Sequence, residues 1–127
     1  MGKLTEEQLW SKVKKLLGRT IWTIVQHRAN TLVEIRANRL LFEYANGQIR
    51  KTQPTKEQIW RTYSYLMERC QVTHDDFDVI PGQLHRDKRV SRIILAILAQ
   101  AVQEQIEPFK RNEGAGKSGI RLKKCAD

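Results

Sequence analysis

The sequence predicts an α+β domain in which an N-terminal helix precedes a small antiparallel meander and three further helices follow it. Three observations carry this expectation. Two Thr-x-x-Gln tetrads, at Thr5 to Gln8 and Thr55 to Gln58, have the form of a capping box, with the threonine hydroxyl taking the N–H three residues on and the glutamine reaching back. Between them lie runs rich in β-branched and aromatic residues, Thr20 to Val25, Thr31 to Arg36 and Leu40 to Tyr44. After the second tetrad, apolar residues recur at three- and four-residue spacing, the period of a helix.

Taken in order, Leu4 and Leu9 bracket the first box as a hydrophobic staple, and the helix is expected to run to about Leu17 with Gly18 beyond its end. Leu9, Val13 and Leu16 form its core face. Lys12, Lys14 and Lys15 fall where the helix dipole favours cations, so the dipole explains them as well as a phosphate contact does. In the next strand Thr31, Val33 and Ile35 share one face, and Leu32, Glu34 and Arg36 the other. Ala37-Asn38-Arg39 is a short turn. Leu40 to Tyr44 and Ile49 to Gln53 then flank Ala45-Asn46-Gly47-Gln48, and Asn-Gly accepts the two positive φ angles of a type I′ hairpin. A meander of three or four strands results.

Pro54 breaks the ladder, and a helix starts at Lys56 with Ile59, Tyr63, Leu66 and Cys70 in one stripe and Trp60 and Met67 one step round. Arg50, Lys51, Lys56 and Arg61 stay outside it. Thr73, with Asp76 three residues on, caps a helix of one or two turns through Phe77, Val79 and Ile80, stopped at Pro81-Gly82. Gln83 to Arg89 is a polar loop. From Lys88 or Ser91 to Glu107 a long helix carries Val90, Ile93, Ile94, Ile97, Leu98, Ala101, Val102 and Ile106, an apolar surface wide enough for burial on more than one side, and Pro108 ends it. These elements make one domain over residues 1–109. Residues 110–127, rich in Gly, Lys and Arg, are expected to be a flexible basic tail.

A chain of 127 residues with 40% hydrophobic and 29% charged residues fits one domain with a single core. Its longest apolar run, Ile93 to Ala99, is far short of the ~20 residues a membrane span needs, and no leader pattern opens the chain. A cytoplasmic protein with no membrane partner is expected. Cys70 and Cys125 lie far apart in the sequence and make neither a disulfide framework nor a zinc spacing, so both are expected as reduced thiols.

Charge is the feature with functional content. The formal net charge is +9, and residues 8–56 hold ten basic residues against Glu34 and Glu43 alone. A polyanion is the natural partner for such a surface, because each neutralised phosphate releases counterions. The alternative is a basic domain that is merely well solvated.

Catalytic chemistry is poorly provided for. Gly114-Ala115-Gly116-Lys117-Ser118 matches the end of a phosphate-binding P-loop, but Arg111 stands where that loop needs its first glycine, and the preceding element is a helix. A metal-dependent nuclease needs clustered carboxylates, yet no Asp precedes Asp75, and Glu34 and Glu43 are expected to pair with arginines across the sheet. Asp75, Asp76 and Asp78 fall on a short helix, where Asp76 is explained as a cap residue and a structural role is favoured over a metal site. His27, His74 and His85 show no ligand or triad spacing. A binding protein without cofactor or metal is expected, not an enzyme.

The helical half has the order helix, turn, short helix, basic helix start, compatible with helix-turn-helix topology. Arg86, Lys88, Arg89 and Arg92 gather at the last helix's N-terminus, where a recognition helix offers side chains to bases and phosphates. Ile93 to Ala99 is too apolar to lie along a groove, so only the first turn could reach DNA. Otherwise that helix is core or a dimer seam, and the hairpins carry the contacts. The expected function is therefore binding of duplex DNA by Arg36, Arg39, Arg50, Lys51, Lys56, Arg61, Arg86, Lys88, Arg89 and Arg92. The alternative is a small adaptor subunit of a nucleoprotein complex, whose Ile93 to Ile106 face packs on a second copy or a larger protein partner.

Gln58-Ile59-Trp60, Val72-Thr73-x-x-Asp76-Phe77 and Ser91-Arg92-x-x-Leu95-Ala96-Ile97-Leu98-Ala99 follow a pattern that resembles winged-helix-like accessory DNA-binding modules of bacterial restriction, defence and mobile-element proteins. The resemblance covers roughly Thr31 to Val102. It implies a basic hairpin and helix rim against duplex DNA, made here by Arg36, Arg39, Arg50, Lys51, Arg89 and Arg92. The free-standing N-terminal helix, the basic tail and the lack of a catalytic domain depart from that pattern.

Overall fold

The computed structural model describes residues 3–44, 46–49, 53–80, 88–111 and 117–125. Along these the chain is α+β, with α1 (Glu6–Lys14), β1 (Thr20–Trp22), β2 (Ala29–Arg36), β3 (Arg39–Tyr44), α2 (Lys56–Arg69), β4 (Gln71–Thr73), a 3₁₀ turn (His74–Asp78), α3 (Lys88–Ala101), β5 (Ile106–Phe109) and β6 (Gly119–Leu122). Two antiparallel sheets form, in the orders β1-β2-β3 and β4-β6-β5.

Both Thr-x-x-Gln tetrads fold as capping boxes. Thr5 Oγ1 accepts the Gln8 N–H at 3.1 Å and Gln8 Oε1 accepts the Thr5 N–H at 2.9 Å; Thr55 and Gln58 repeat this at 3.1 and 3.0 Å. α1 closes at Lys14, earlier than the periodicity predicts, and the turns after it reach Gly18, whose φ of +84° aims its N–H at the Leu32 carbonyl 2.8 Å away. Glycine adopts that φ without the Cβ clash any other residue would meet.

The meander is present with a bulge. Leu32 pairs with Phe42 but Glu34 with Leu41, so Val33 is the extra residue on β2. Alternation therefore fails there: Leu32 is buried, Val33 and Glu34 are both exposed, and Ile35 turns back onto the core. Glu34 pairs with Arg36 on its own strand, not across the sheet. The hairpin beyond β3 differs from the expected type I′ turn. Gly47, at φ +86°, gives its N–H to the Tyr44 carbonyl and the Tyr44 N–H goes to the Gln48 carbonyl, a three-residue loop that needs its left-handed residue at the glycine. Among the described residues its returning arm meets β3 at the bridge between Glu43 and Ile49. Residues 50–52 lie outside the described residues. α2 is hooked to the first sheet at its start, since the Lys56 N–H bonds the Asn38 carbonyl at 2.8 Å and the Leu40 N–H bonds the Pro54 carbonyl at 3.0 Å.

α3 is the core. Val90, Ile93, Ile94, Leu95, Ile97 and Leu98 are all buried, in one cluster with Leu32 and Phe42 of the first sheet and Val72, Ile106 and Ile120 of the second. The face that the adaptor alternative would present to a second copy or a partner is thus spent inside the chain itself. At roughly 1.5–3 kcal/mol for each large side chain fully buried, this helix supplies much of the hydrophobic stabilisation.

The C-terminal quarter departs most from expectation. α3 ends at Ala101, not near Glu107, and Ile106–Phe109 form β5. Pro108 sits within that strand, which an edge position allows because no ladder N–H is needed there. Residues 119–122, expected in a flexible tail, form β6, the middle strand of the second sheet, with Ile120 fully buried. Ile120 and Leu122, two residues apart, give it one apolar face, and Gly119 lets it lie close against β4. Cys70 is not on the α2 stripe but caps the helix at φ 72°, and it is joined to Cys125 by a disulfide, with Cα atoms 5.6 Å apart, in place of the reduced thiols expected. Between β4 and α3 the expected short helix is the single 3₁₀ turn, with Asp76 Oδ2 accepting the Thr73 N–H at 2.8 Å. Pro81, Gly82 and the polar loop to Arg86 lie outside the described residues. No helix among the described residues is long and apolar enough to cross a membrane.

Candidate nucleic-acid interface

The described residues form two grooves of functional interest. The first, about 980 Å³, lies between the β2–β3 turn and the exposed side of α2, and is lined by Ala37, Asn38, Arg39, Thr55, Lys56, Glu57, Trp60, Arg61, Ser64, Tyr65, Glu68 and, from α1, Glu6. Three of the expected contact residues, Arg39, Lys56 and Arg61, are brought together here by the hook of α2 onto the sheet. Their charge is largely answered. Lys56 pairs with Glu7, and Arg61 Nη2 with Glu57 Oε1 at 2.7 Å one helical turn back. Arg36, next to the turn, is held by Glu34 at 2.8 Å, which leaves Arg39 without a carboxylate among the described residues. With Glu6, Glu57 and Glu68 facing Arg39, Lys56 and Arg61, this groove is charge-balanced. Its aromatic side chains also hold cations: Lys3 lies over Trp60 at 5.1 Å and Arg69 over Tyr65 at 5.2 Å.

The remaining expected residues are elsewhere. Lys88 and Arg89 are the first residues of α3, and Arg92, half-buried on that helix, does not line this groove. Arg50, Lys51 and Arg86 lie outside the described residues.

The second groove, about 740 Å³, runs along the C-terminal half of α3, where the edge strands of the two sheets, β1 and β5, both border that helix. Trp22 closes β1 and is 51% exposed, with the His27 ring stacked on it, centroids 4.8 Å apart and planes within 13°. The β1–β2 turn holds that pair in place. The buried Thr23 hydroxyl accepts the Arg28 N–H at 2.9 Å, the Thr23 N–H goes to the Arg28 carbonyl at 3.0 Å, and the buried Asn30 amide donates to the same carbonyl at 3.1 Å. His27 itself is at φ 52°, a left-handed conformation that a non-glycine residue keeps only when its surroundings dictate it.

Across the groove, Phe109 has Arg111 and Arg121 over its ring at 5.4 Å each, and Lys110 and Lys123 are exposed beside it. Among the described residues two carboxylates answer these four cations: Glu107, bonded to Arg121 at 3.1 Å, and Glu104, which acts on Lys123 through space. This wall is net positive. Sequence reasoning misses it because local periodicity extends the last helix over β5 and composition makes β6 a tail, which scatters Lys110, Arg111, Arg121 and Lys123 along an unstructured segment. The signal available was Ile120-x-Leu122, a short alternation inside a basic run.

Groups with catalytic potential are bonded locally. Asp75 pairs with Lys117 at 3.4 Å, Asp76 caps the 3₁₀ turn, His74 Nδ1 lies 2.9 Å from the Ser118 carbonyl, and the buried Ser118 hydroxyl takes the Arg111 N–H at 2.9 Å. Among the described residues no three His, Cys, Asp or Glu side chains converge on a metal position. Residues 112–116, which include the P-loop-like glycines, lie outside the described residues. Comparison with protein-family models, curated proteins and solved structures finds no match, so the site is read from its own chemistry.

Proposed function

We propose that this protein is a non-catalytic nucleic-acid-binding protein whose principal phosphate contacts lie on the β5–β6 pair. The observation that supports this most is the wall of Lys110, Arg111, Arg121 and Lys123, which among the described residues outnumber the carboxylates near them, Glu107 and Glu104. Arg121 on β6, with Lys110, Arg111 and Lys123 just beyond the ends of the paired strands, meets a polyanion at smaller entropic cost than cations on a free tail would. Duplex DNA is the partner for a winged-helix-like docking. Lys88, Arg89 and Arg92 at the start of α3 would then enter the major groove, and the Tyr44–Gln48 hairpin would act as the wing. Only the first turn of α3 is on offer for this, because Ile93, Ile94 and Ile97 are in the core.

A protein partner fits the first groove better than nucleic acid does, since its three carboxylates and three cations favour a mixed-charge segment over a phosphate chain. That favours α2 and the β2–β3 turn over α3 as the surface for an adaptor role. In a cytoplasmic setting the Cys70–Cys125 bridge, with Cys125 exposed, would form and open with the redox poise, because thiols there are kept largely reduced.

Salt titration tests the proposal. Four phosphate contacts predict that affinity for duplex DNA falls about a hundredfold between 50 and 200 mM salt. Replacing Lys110 and Lys123 together by Ala should remove about half of the logarithmic slope. Affinity that barely changes with salt, or an unchanged slope in the double variant, would overturn the assignment to this wall.

A further inference from the structure

Resting on the nucleic-acid proposal above, the geometry points to the second groove as a seat for single-stranded nucleic acid, with one unstacked base lying on Trp22 and its flanking phosphates meeting Lys110 and Lys123. Trp22 spends its ring outside the core on an edge strand, half exposed, next to a turn fixed by Thr23 and Asn30. His27 covers one side of the indole at 4.8 Å, which backs the ring and makes a rigid aromatic pair. A base that stacks on such a pair meets a surface already ordered, so little side-chain freedom is lost on binding.

The surrounding chemistry fits the same ligand. Gln100 and Gln103, exposed at the end of α3, line the groove; a carboxamide is both donor and acceptor and can meet the edge of any base. Lys110 has no carboxylate partner among the described residues, and Lys123 has no carboxylate bonded to it there, only the through-space pull of Glu104, which is itself bonded to Lys12. A groove of about 740 Å³ lies within the ~300–1,000 Å³ typical of small-ligand sites. Bases inside a duplex are stacked on one another and cannot reach the indole, so Trp22 separates single strands from duplex where the lysines do not.

The experiment measures anisotropy of four labelled probes with the full chain at one salt concentration: oligothymidylate, oligouridylate, an abasic oligomer of equal length and a matched duplex. Oligothymidylate should bind more tightly than the abasic oligomer. Trp22→Ala should weaken oligothymidylate by roughly five- to a hundredfold, the range for loss of one base–aromatic stack, while leaving the abasic oligomer and the duplex unchanged. Trp22→Phe should restore most of that loss. Oligouridylate shares the stacking chemistry, and its affinity relative to oligothymidylate assigns the preferred sugar. Equal binding of oligothymidylate and abasic oligomer, or a Trp22→Ala protein with unchanged or uniformly reduced affinity, overturns the stacking seat. Duplex binding without single-strand binding also overturns it and leaves the general proposal standing, whereas no binding to any of the four removes both.

Discussion

The Tyr63 hydroxyl accepts the Leu4 N–H at 2.9 Å, across fifty-nine residues of sequence. That bond pins the residue entering α1 to the middle of α2, and the same hydroxyl lies 3.4 Å from Gln105 Oε1 in the turn after α3. Tyr63→Phe should keep the fold and lower stability by about 1–2 kcal/mol, because the Leu4 N–H loses its acceptor. Burial raises the Tyr63 pKa, an effect larger than the opposing bond from Leu4. The native state therefore holds this proton more tightly than the unfolded chain does. The linked stability is complete below the usual tyrosine range and is lost as pH rises through it. Urea unfolding at neutral and strongly alkaline pH checks both points, and the phenylalanine variant should lose part of the alkaline dependence.

Gly119 allows nothing larger. A Cβ there would stand 1.9 Å from the Val72 carbonyl oxygen and 2.8 Å from the Thr73 Cα, both backbone atoms of the neighbouring strand. Gly119→Ala has to push β6 off β4, so the loss should exceed the ~1–3 kcal/mol usual for an overpacked core side chain. Thermal unfolding of this variant beside Gly18→Ala, where the space is open and only φ is unfavourable, should show the larger drop for Gly119.

Reduction should be felt at the same sheet. The Cys70–Cys125 bridge closes a separation of 55 residues, for which loop-entropy reasoning gives about 4 kcal/mol. Cys125→Ser and dithiothreitol treatment should each lower the urea midpoint by a similar amount, and together no further. A midpoint indifferent to reductant would show that the bridge does not form in solution.

Acid should weaken the contact between α1 and the turn before β5. Glu104 has its pKa lowered first by a backbone N–H and then by Lys12, 3.0 Å away. Its contribution is present above the usual carboxylate range and is lost as pH falls through the lower native value. Glu104→Gln should accordingly flatten the acid limb of stability against pH. Both side chains are about a third exposed, so the effect should shrink as salt is added.

The N-terminal two thirds of the fold was legible because its signals are local. Thr5, Gln8, Thr55 and Gln58 act within four residues, and β1 to β3 follow one another closely enough for alternation to fix their faces up to the Val33 bulge. The second sheet was not legible, since β5 and β6 are strands by virtue of each other. Gln103, Glu104 and Gln105 favour helix on intrinsic preference, and pairing of residues 106–109 with 119–122 overrides it. The site shared this fate. Arg39, Lys56 and Arg61 could be found from composition, but Glu7 on Lys56 and Glu57 on Arg61 reduce what charge counting promised, and the net positive wall depends on pairings no local pattern announces. Trp22 could not be singled out, because it lies inside the run Thr20 to Val25 and its exposure follows from β1 ending at that residue.

β6 follows β4 and β5 in the chain yet stands between them. On a ribosome neither flanking strand can find its hydrogen-bonding partner until Gly119 to Leu122 have emerged, so two open ladders and the aromatic-lined cleft wait on late-arriving residues. Assembly of this half should be the slow, aggregation-exposed stage of maturation, and stopping synthesis before Gly119 should leave β1 to β3 folded beside a half that cannot close.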